Sequence, residues 1–286
     1  MATATSETHP KASTSWWKHL LAGTIAGIAS RSFIAPIDVL KTFYQVRATK
    51  DTKIMDTFNT LYSEGGMRGL WRGNRANGLK AGLSTGMKFM AFDQMMKVGR
   101  YLKDGEELNV VDRFVAGSVA VFCSQGVAYP FDVIKTRLSL VRPGVYRGVF
   151  DCARQTVVRH GFKALYKGCL INAFMMIPFA AYELAVYETL KKTYGNQDNM
   201  TLPPVFGIVA SSSTLLLNYP MMLTKTRLQA DPLTTHNYIS MLKHTYRTGG
   251  VPELYRGFPL GFLKIVPQKA VAFLVLEVCR KAMGVY

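Results

Sequence analysis

Three short stretches set an acidic position two residues after a proline and a lysine five residues after it: Pro36-Ile-Asp38-Val-Leu-Lys41, Pro130-Phe-Asp132-Val-Ile-Lys135 and Pro220-Met-Met222-Leu-Thr-Lys225. Two of them carry an acid and a base at helical spacing, and the third has Met222 where the acid belongs. Four more lysines, Lys80, Lys88, Lys264 and Lys269, stand inside mostly apolar stretches. A charge facing lipid costs at least about 2.5–3.5 kcal/mol at the centre of a bilayer, so these lysines must face water or a partner. The chemistry on offer is electrostatic. A lysine is a point charge with rotatable donors, and a wall of them suits the phosphate groups of a small anionic molecule. Nothing points to covalent catalysis: there is no nucleotide P-loop, no pair of catalytic carboxylates and no Ser/His/Asp constellation. Cys123, Cys152, Cys169 and Cys279 have no metal-ligand spacing and read as structural thiols. The chain is expected to be no enzyme and to hold no metal or cofactor.

The elements that position these residues follow from a repeat. The signature prolines lie 94 and 90 residues apart, too long for a solenoid unit and short for an independent domain. A second mark keeps step with them: aromatic, basic, Gly at Trp71-Arg72-Gly73, Tyr166-Lys167-Gly168 and Tyr255-Arg256-Gly257. A third follows 22 residues after each aromatic, an acid at Asp93, Glu188 and Glu277. These landmarks define one body of three repeats, 17–103, 110–194 and 203–284, behind a Ser/Thr-rich segment, 1–16, expected to be disordered. That segment lacks both the apolar core of a secretory signal and the arginines of a strong transit peptide.

Composition fixes the solvent. Hydrophobic residues make up 49% of the chain, yet its net charge is +17 and no run of 20 residues is cleanly apolar. Before each signature proline runs a stretch with small residues four apart, such as Gly23 and Gly27 or Gly207 and Ser211, a spacing that lets helix backbones approach closely in lipid. The competing reading, a soluble helical core, is disfavoured because Gly costs about 1 kcal/mol against Ala in a helix. Further apolar segments at 74–101, 170–194 and 258–283 complete six long helices, each able to cross a layer about 30 Å thick. Between them, Ile54–Tyr62 and Val149–Val158 have apolar residues at helical spacing and read as short amphipathic helices on a membrane surface. The expected fold is an all-α membrane protein, with six transmembrane helices in three pseudo-threefold repeats, each with a short surface helix, around a central cavity.

Counting from Trp71, Tyr166 and Tyr255 locates the cavity wall. The +9 positions are Lys80, Met175 and Lys264, and the +13 positions are Ser84, Phe179 and Gln268. The +16 positions are Met87, Tyr182 and Val271, and the +17 positions are Lys88, Glu183 and Ala272. The +13 positions follow the +9 by 4, and the +16 and +17 follow the +13 by 3 and 4, which puts them on one helical stripe. Symmetry-related positions that differ chemically are where an asymmetric substrate is read, so Lys80, Ser84, Lys88, Met175, Phe179, Tyr182, Glu183, Lys264, Gln268 and Lys269 are the expected binding residues. Glu183 has three readings: holding an amine, accompanying Mg²⁺, or pairing with a cavity lysine. Pro178 and Pro267 are expected to kink the fourth and sixth long helices, whereas Leu83 stands at the matching place in the second. The bases are spread over three repeats rather than one soluble face, which argues against nucleic acid and for anionic membrane lipid.

These three marks, on repeats of about 95 residues, resemble the mitochondrial carrier family from Trp16 to Tyr286. EGGMRGLWRGN with a later MKF, YKG with IPF and ELAVYE, and LYRG with FLKIVP look most similar to the ATP-Mg/phosphate carriers, with the coenzyme A carriers close behind. The resemblance implies a multi-pass, monomeric exchanger of the mitochondrial inner membrane, or of the membrane of a mitochondrion-related organelle, touching cardiolipin and working by alternating access. It implies a matrix gate of inter-repeat ion pairs from Asp38, Lys41, Asp132, Lys135 and Lys225, braced by Gln45 and Gln229, with Ser139 at the equivalent second-repeat place. With Met222 as the third member, one lysine is left without its carboxylate. It implies a cytoplasmic gate from Asp93, Glu188, Lys191, Glu277 and Arg280, with Met96 at the first repeat's basic position and Lys97 standing in for it. The competing reading of all these charges is that they cap helix ends. Met175-Met176 replaces the Gly-Ile pair usual in adenine-nucleotide carriers. The implied function is exchange of an anionic phosphorylated metabolite, adenine nucleotide first (ATP/ADP, ATP-Mg against phosphate). The alternatives are coenzyme A or a related cofactor, or a carrier fold that exchanges nothing. No DxDxDG-type calcium loop occurs, so direct calcium control is not expected.

Overall fold

The computed structural model describes residues 16–47, 52–103, 109–194, 202–231 and 236–282, so most of the leading 1–16 segment lies outside the described residues. Among the described residues every regular element is helical. The first long segment is α1 (Trp16–Phe33) and α2 (Ala35–Arg47), followed by the short α3 (Ile54–Gly69) and the long α4 (Asn74–Leu102). The second third repeats the plan with α5 (Val110–Leu140), α6 (Val149–His160), a 3-10 turn at Phe162–Tyr166 and α7 (Cys169–Tyr194). The last third has α8 (Leu202–Ala230), α9 (Tyr238–Leu254), α10 (Phe258–Leu263) and α11 (Ile265–Ala282).

Six long segments close into a ring. α1 packs on α4, α4 on α5, α5 on α7, α7 on α8, α8 on α11, and α11 returns to α1. The proline-bearing ends of the odd segments, α2, α5 and α8, also touch one another pairwise, so the ring is pinched at one end. Three segments are long and apolar enough to cross a membrane, Val111–Leu140, Phe162–Tyr194 and Val205–Ala230. The other three have a physical reason to score lower. α4 carries Lys80, Lys88 and Lys97, and the first and last segments are each split in two.

Prolines explain the splits. In the first segment the helix breaks at Ile34 and restarts at Ala35, which puts Pro36 in the opening turn of α2, where a missing N–H leaves no helix bond unmade. The last segment does the same at Lys264, and Pro267 falls in the first turn of α11. Pro130, Pro178 and Pro220 instead lie inside continuous helices.

The aromatic-basic-Gly mark is conformational. Gly73, Gly168 and Gly257 all have positive φ, from 74° to 82°, and stand just before α4, α7 and α10. A Cβ on Gly73 would sit 2.8 Å from the Lys135 carbonyl oxygen, one on Gly168 3.0 Å from Leu228 Cδ2, and one on Gly257 3.4 Å from Gln45 Cγ. Each glycine thus brings the start of an even segment against an odd helix of a neighbouring repeat. Gly73→Ala should cost about 2–4 kcal/mol, from the left-handed backbone and the clash together, and a thermal melt of the purified variant reads it directly.

The surface helices are pinned by buried polar contacts. Arg137 donates to the Gln229 carbonyl at 3.4 Å and to the Thr156 hydroxyl of α6 at 2.7 Å. Arg227 does the same one repeat on, to the Gln45 carbonyl at 2.9 Å and the Thr245 hydroxyl of α9 at 3.3 Å, and it also pairs with Glu253. Cys152 is buried on α6, and that burial pushes its thiol up to about 11, which keeps it an unreactive packing group.

Candidate functional site

Where α2, α5 and α8 converge, two ion pairs link successive repeats. Lys135 Nζ lies 3.2 Å from Asp38 Oδ2, and Lys225 Nζ lies 2.5 Å from Asp132 Oδ2. The base of each repeat therefore meets the acid of the repeat before it. By the same rotation the partner due to Lys41 is position 222 of the third repeat, where Met222 has no charge to offer. Lys41 is the lysine left over. Among the described residues no carboxylate lies within ion-pair distance of it, and its ammonium instead stands over the Tyr219 ring, 5.1 Å from the centroid. Lys225 has a similar ring beneath it, Tyr129 at 5.5 Å, in addition to its acid. These tyrosines immediately precede the signature prolines, a signal that was present in the sequence and passed over.

Two even-segment lysines join the same layer. Lys264 Nζ is 2.9 Å from Asp38 Oδ1, and Lys80 Nζ is 2.6 Å from Asp132 Oδ1. Each aspartate is thus shared by two lysines, one from the next odd helix and one from the cavity wall. The third counterpart of Lys80 and Lys264 is Met175, and Met175 lines one small pocket of about 190 Å³ with Met222, Lys80 and Lys225. Acid and second base are lost together at this place. Each of the three stations consequently carries a formal charge of +1: one acid and two lysines at Asp38 and at Asp132, and Lys41 alone at Met222.

The glutamines divide their work. Gln229 donates to Asp132 Oδ2 at 3.4 Å and accepts from the Thr136 hydroxyl at 3.0 Å, bracing the pair beside it. Among the described residues Gln45 braces no ion pair. It donates to the Tyr219 hydroxyl at 2.8 Å, and that hydroxyl donates to the Arg256 carbonyl at 2.8 Å, which fixes the ring under Lys41. Ser139, at the equivalent place of the second repeat, donates to the Lys135 carbonyl at 2.9 Å.

Beside this layer lies a cavity of about 560 Å³ lined by Arg31, Lys264, Gln268, Lys269 and Glu183, among others. Glu183 accepts from the Ser211 hydroxyl at 2.5 Å and pairs with Lys269 at 3.5 Å, tying α7, α8 and α11 together. Of its three sequence readings, pairing with a cavity lysine is the arrangement found. Asn218 lines both this cavity and the smaller methionine pocket, so the two are adjoining lobes. Arg31 was missed in the sequence. Its signal was a base deep in an apolar helix, five residues before Pro36, with Gln125 and Leu215 at the matching places.

Other expected wall residues are placed elsewhere. The Ser84 hydroxyl shares a 2.8 Å hydrogen bond with that of Ser124 and joins α4 to α5. Phe179, Tyr182 and the exposed Lys88 line neither lobe. At the far end of the ring the acid-x-x-base marks stay within their own helices. Asp93 pairs with Lys97 at 2.7 Å, and Glu277 pairs with Lys281 at 3.1 Å rather than with a base on another segment. Glu188 is half-buried and Lys191 exposed, and the Arg280 side chain lies outside the described residues. The proline end is held together by ion pairs across repeats, and among the described residues these marks at the other end are not.

The family model described as mitochondrial carrier protein matches residues 12–101, 106–198 and 196–286. The chain is similar to a human mitochondrial adenyl nucleotide antiporter, 40% identical over 286 residues, which covers 94% of the chain and 60% of the relative. A Danio rerio mitochondrial adenyl nucleotide antiporter is 38% identical over 283 residues, with 94% and 59% covered. A Xenopus laevis calcium-binding mitochondrial carrier protein is 38% identical over 285 residues, with 94% and 55% covered. The chain therefore spans between half and two thirds of the length of these relatives.

Proposed function

This chain belongs to the mitochondrial carrier family, and from that premise we propose that it exchanges adenine nucleotides, or ATP-Mg against phosphate, across the mitochondrial inner membrane by alternating access. One observation carries the reading: Lys80 and Lys264 belong at once to the cavity wall and to the layer of ion pairs at the proline end. Phosphate oxygens entering the cavity compete with Asp132 and Asp38 for the same two ammonium groups. A bound polyanion thereby removes one of the two lysines on each aspartate and offsets the cost of parting the odd helices. Arg31 and Lys269 extend the cationic wall toward the 560 Å³ lobe, while Met175, Met176 and Asn172 line the narrower lobe and suit the less charged part of the substrate.

The six long segments serve as the transmembrane helices, and the ring closes within one chain, which supports a monomer as the working unit. An anionic lipid, cardiolipin, fits the surface groove of about 540 Å³ where α7 and α9 begin, lined by Lys167, Gly168, Asn237, Tyr238 and Lys243. Two helix N-termini and two lysines there offer the backbone and side-chain donors that phosphate groups take.

The test is exchange in liposomes containing the purified protein, loaded in turn with ADP, ATP, ATP-Mg, phosphate and coenzyme A, against labelled ATP or phosphate outside. Saturable uptake into nucleotide- or phosphate-loaded vesicles is the expected result. Uptake driven best by coenzyme A moves the assignment to that cofactor, and no uptake from folded protein rejects exchange.

A further inference from the structure

An arginine stands seven residues after the signature proline in two repeats, as Arg137 on α5 and Arg227 on α8, and the two are compensated differently. Both hold a carbonyl of the next odd helix and a threonine of their own surface helix. Arg227 also pairs with Glu253. Counting back two residues from the aromatic of the mark puts Ala164 where Glu253 stands, and among the described residues no carboxylate forms an ion pair with Arg137. The side chain is buried, at 5% exposure, and its Nη2 makes no hydrogen bond among the described residues. A buried guanidinium without a counter-charge is costly, and an anion beside it removes that cost.

The second repeat has a cavity at this place. About 100 Å³ of space lies between α6 and the ends of α5 and α8, lined by Arg137, Tyr146, Gln155, Arg159 and His160, among others. A water takes about 30 Å³ of liquid, so there is room for one tetrahedral oxyanion. Arg159, His160 and the Tyr146 hydroxyl make no hydrogen bond or ion pair among the described residues, so three donors besides Arg137 are available to an acceptor. The acids nearby are Asp231, exposed just past α8, and Asp151, which already accepts from the Arg147 N–H at 2.9 Å and from Gln155 at 3.1 Å. Two guanidinium groups, an imidazole and a phenol in one small space suit the several oxygens of a phosphate group.

We propose that Arg137, Tyr146, Arg159 and His160 form a binding site for a phosphate group, supplied by free inorganic phosphate or by the head of an anionic lipid. The bound group does for Arg137 what Glu253 does for Arg227, and it ties α6 to the ends of α5 and α8. Arg137 holds the Gln229 carbonyl, and Gln229 braces Asp132, so an occupied site also steadies the Lys225–Asp132 pair. The inference does not rest on the proposed exchange, because none of these four residues lines either lobe of the transport cavity.

The third repeat supplies the control. Gly249 matches His160 in the count, and a Cβ on Gly249 would lie 3.2 Å from Glu253 Oε2, so a carboxylate at position 160 comes to the place of the missing acid. The experiment is thermal unfolding of the purified full chain in detergent, with sodium phosphate titrated against sodium gluconate at matched ionic strength. A parallel arm adds micellar phosphatidic acid instead of phosphate. At least one arm should raise Tm by about 2–4 °C, saturating with concentration. His160→Glu should melt higher in gluconate and lose the increment, since the carboxylate then serves Arg137. Arg159→Gln, at an exposed position, should lose at least half of the increment without adding a negative charge. Lys264→Gln, in the transport cavity, should keep it. An increment from phosphate assigns the site to the free anion, and one from phosphatidic acid alone assigns it to a lipid head group. Equal melting in every arm, an increment that survives both His160→Glu and Arg159→Gln, or one that Lys264→Gln removes would overturn the site.

Discussion

Lys80→Ala and Lys264→Ala are each expected to abolish the proposed exchange while leaving a folded protein. The two halves of that result have separate causes. Each lysine holds a carboxylate at hydrogen-bond distance, 2.6 Å for Lys80 and 2.9 Å for Lys264, and is also the ammonium that an incoming phosphate would take over. Losing one such charged contact to a buried or half-buried anion costs about 2–5 kcal/mol, which is on the order of a 30- to 4000-fold loss of binding. Folding survives because neither aspartate is orphaned. Asp132 keeps Lys225 and Asp38 keeps Lys135, so the penalty of a bare buried carboxylate is avoided. Liposome exchange and a thermal melt on the same preparations check both halves. Retained exchange in both variants would remove the cavity assignment, and unfolding in either would show that the shared pairing is needed for the fold.

The sequence made the ring, the three surface helices and the charged layer legible because each repeat writes the same marks at the same spacing. The proline triplets, the glycines of positive φ and the lysines at the +9 positions all fall where counting put them. What counting could not supply was the direction of rotation, that is, which repeat's base meets which repeat's acid. Without it, Met222 read as a missing gate acid and Met175 as an altered contact for the nucleotide base, two unrelated departures. In space they line one pocket, and together they keep that station at the same formal charge as its mates.

Two further features lay beyond periodicity. Lys80 and Lys264 were legible as cavity residues, but their reach to the aspartates depends on how closely the odd helices converge, which no local pattern encodes. Three of the six long segments also fall short of a span by length and apolarity, α4 because its lysines interrupt the apolar run and the first and last because their helices are split at Ile34 and Lys264. A hydropathy scan penalises the very positions that a water-filled ring requires.

Neutralising the far-end acids together, as Asp93→Asn, Glu188→Gln and Glu277→Gln, is expected to leave the melting temperature in the absence of substrate nearly unchanged and to slow the proposed exchange by on the order of tenfold or more. The asymmetry comes from where these charges now stand. The Asp93–Lys97 and Glu277–Lys281 pairs join residues one turn apart on exposed faces, with side chains 47–63% accessible. Exposed pairs of that kind contribute about 0.3–0.5 kcal/mol each, so removing them hardly changes this conformation. In the opposite conformation the same acids would have to link segments across the ring, as Asp38 and Asp132 do at the proline end. Losing about 1.4 kcal/mol or more from that state alone lowers its population tenfold and slows every cycle that passes through it. Exchange rates unaffected by the triple change would dismiss the far-end network. A large fall in melting temperature would instead mean that these acids already hold the conformation described.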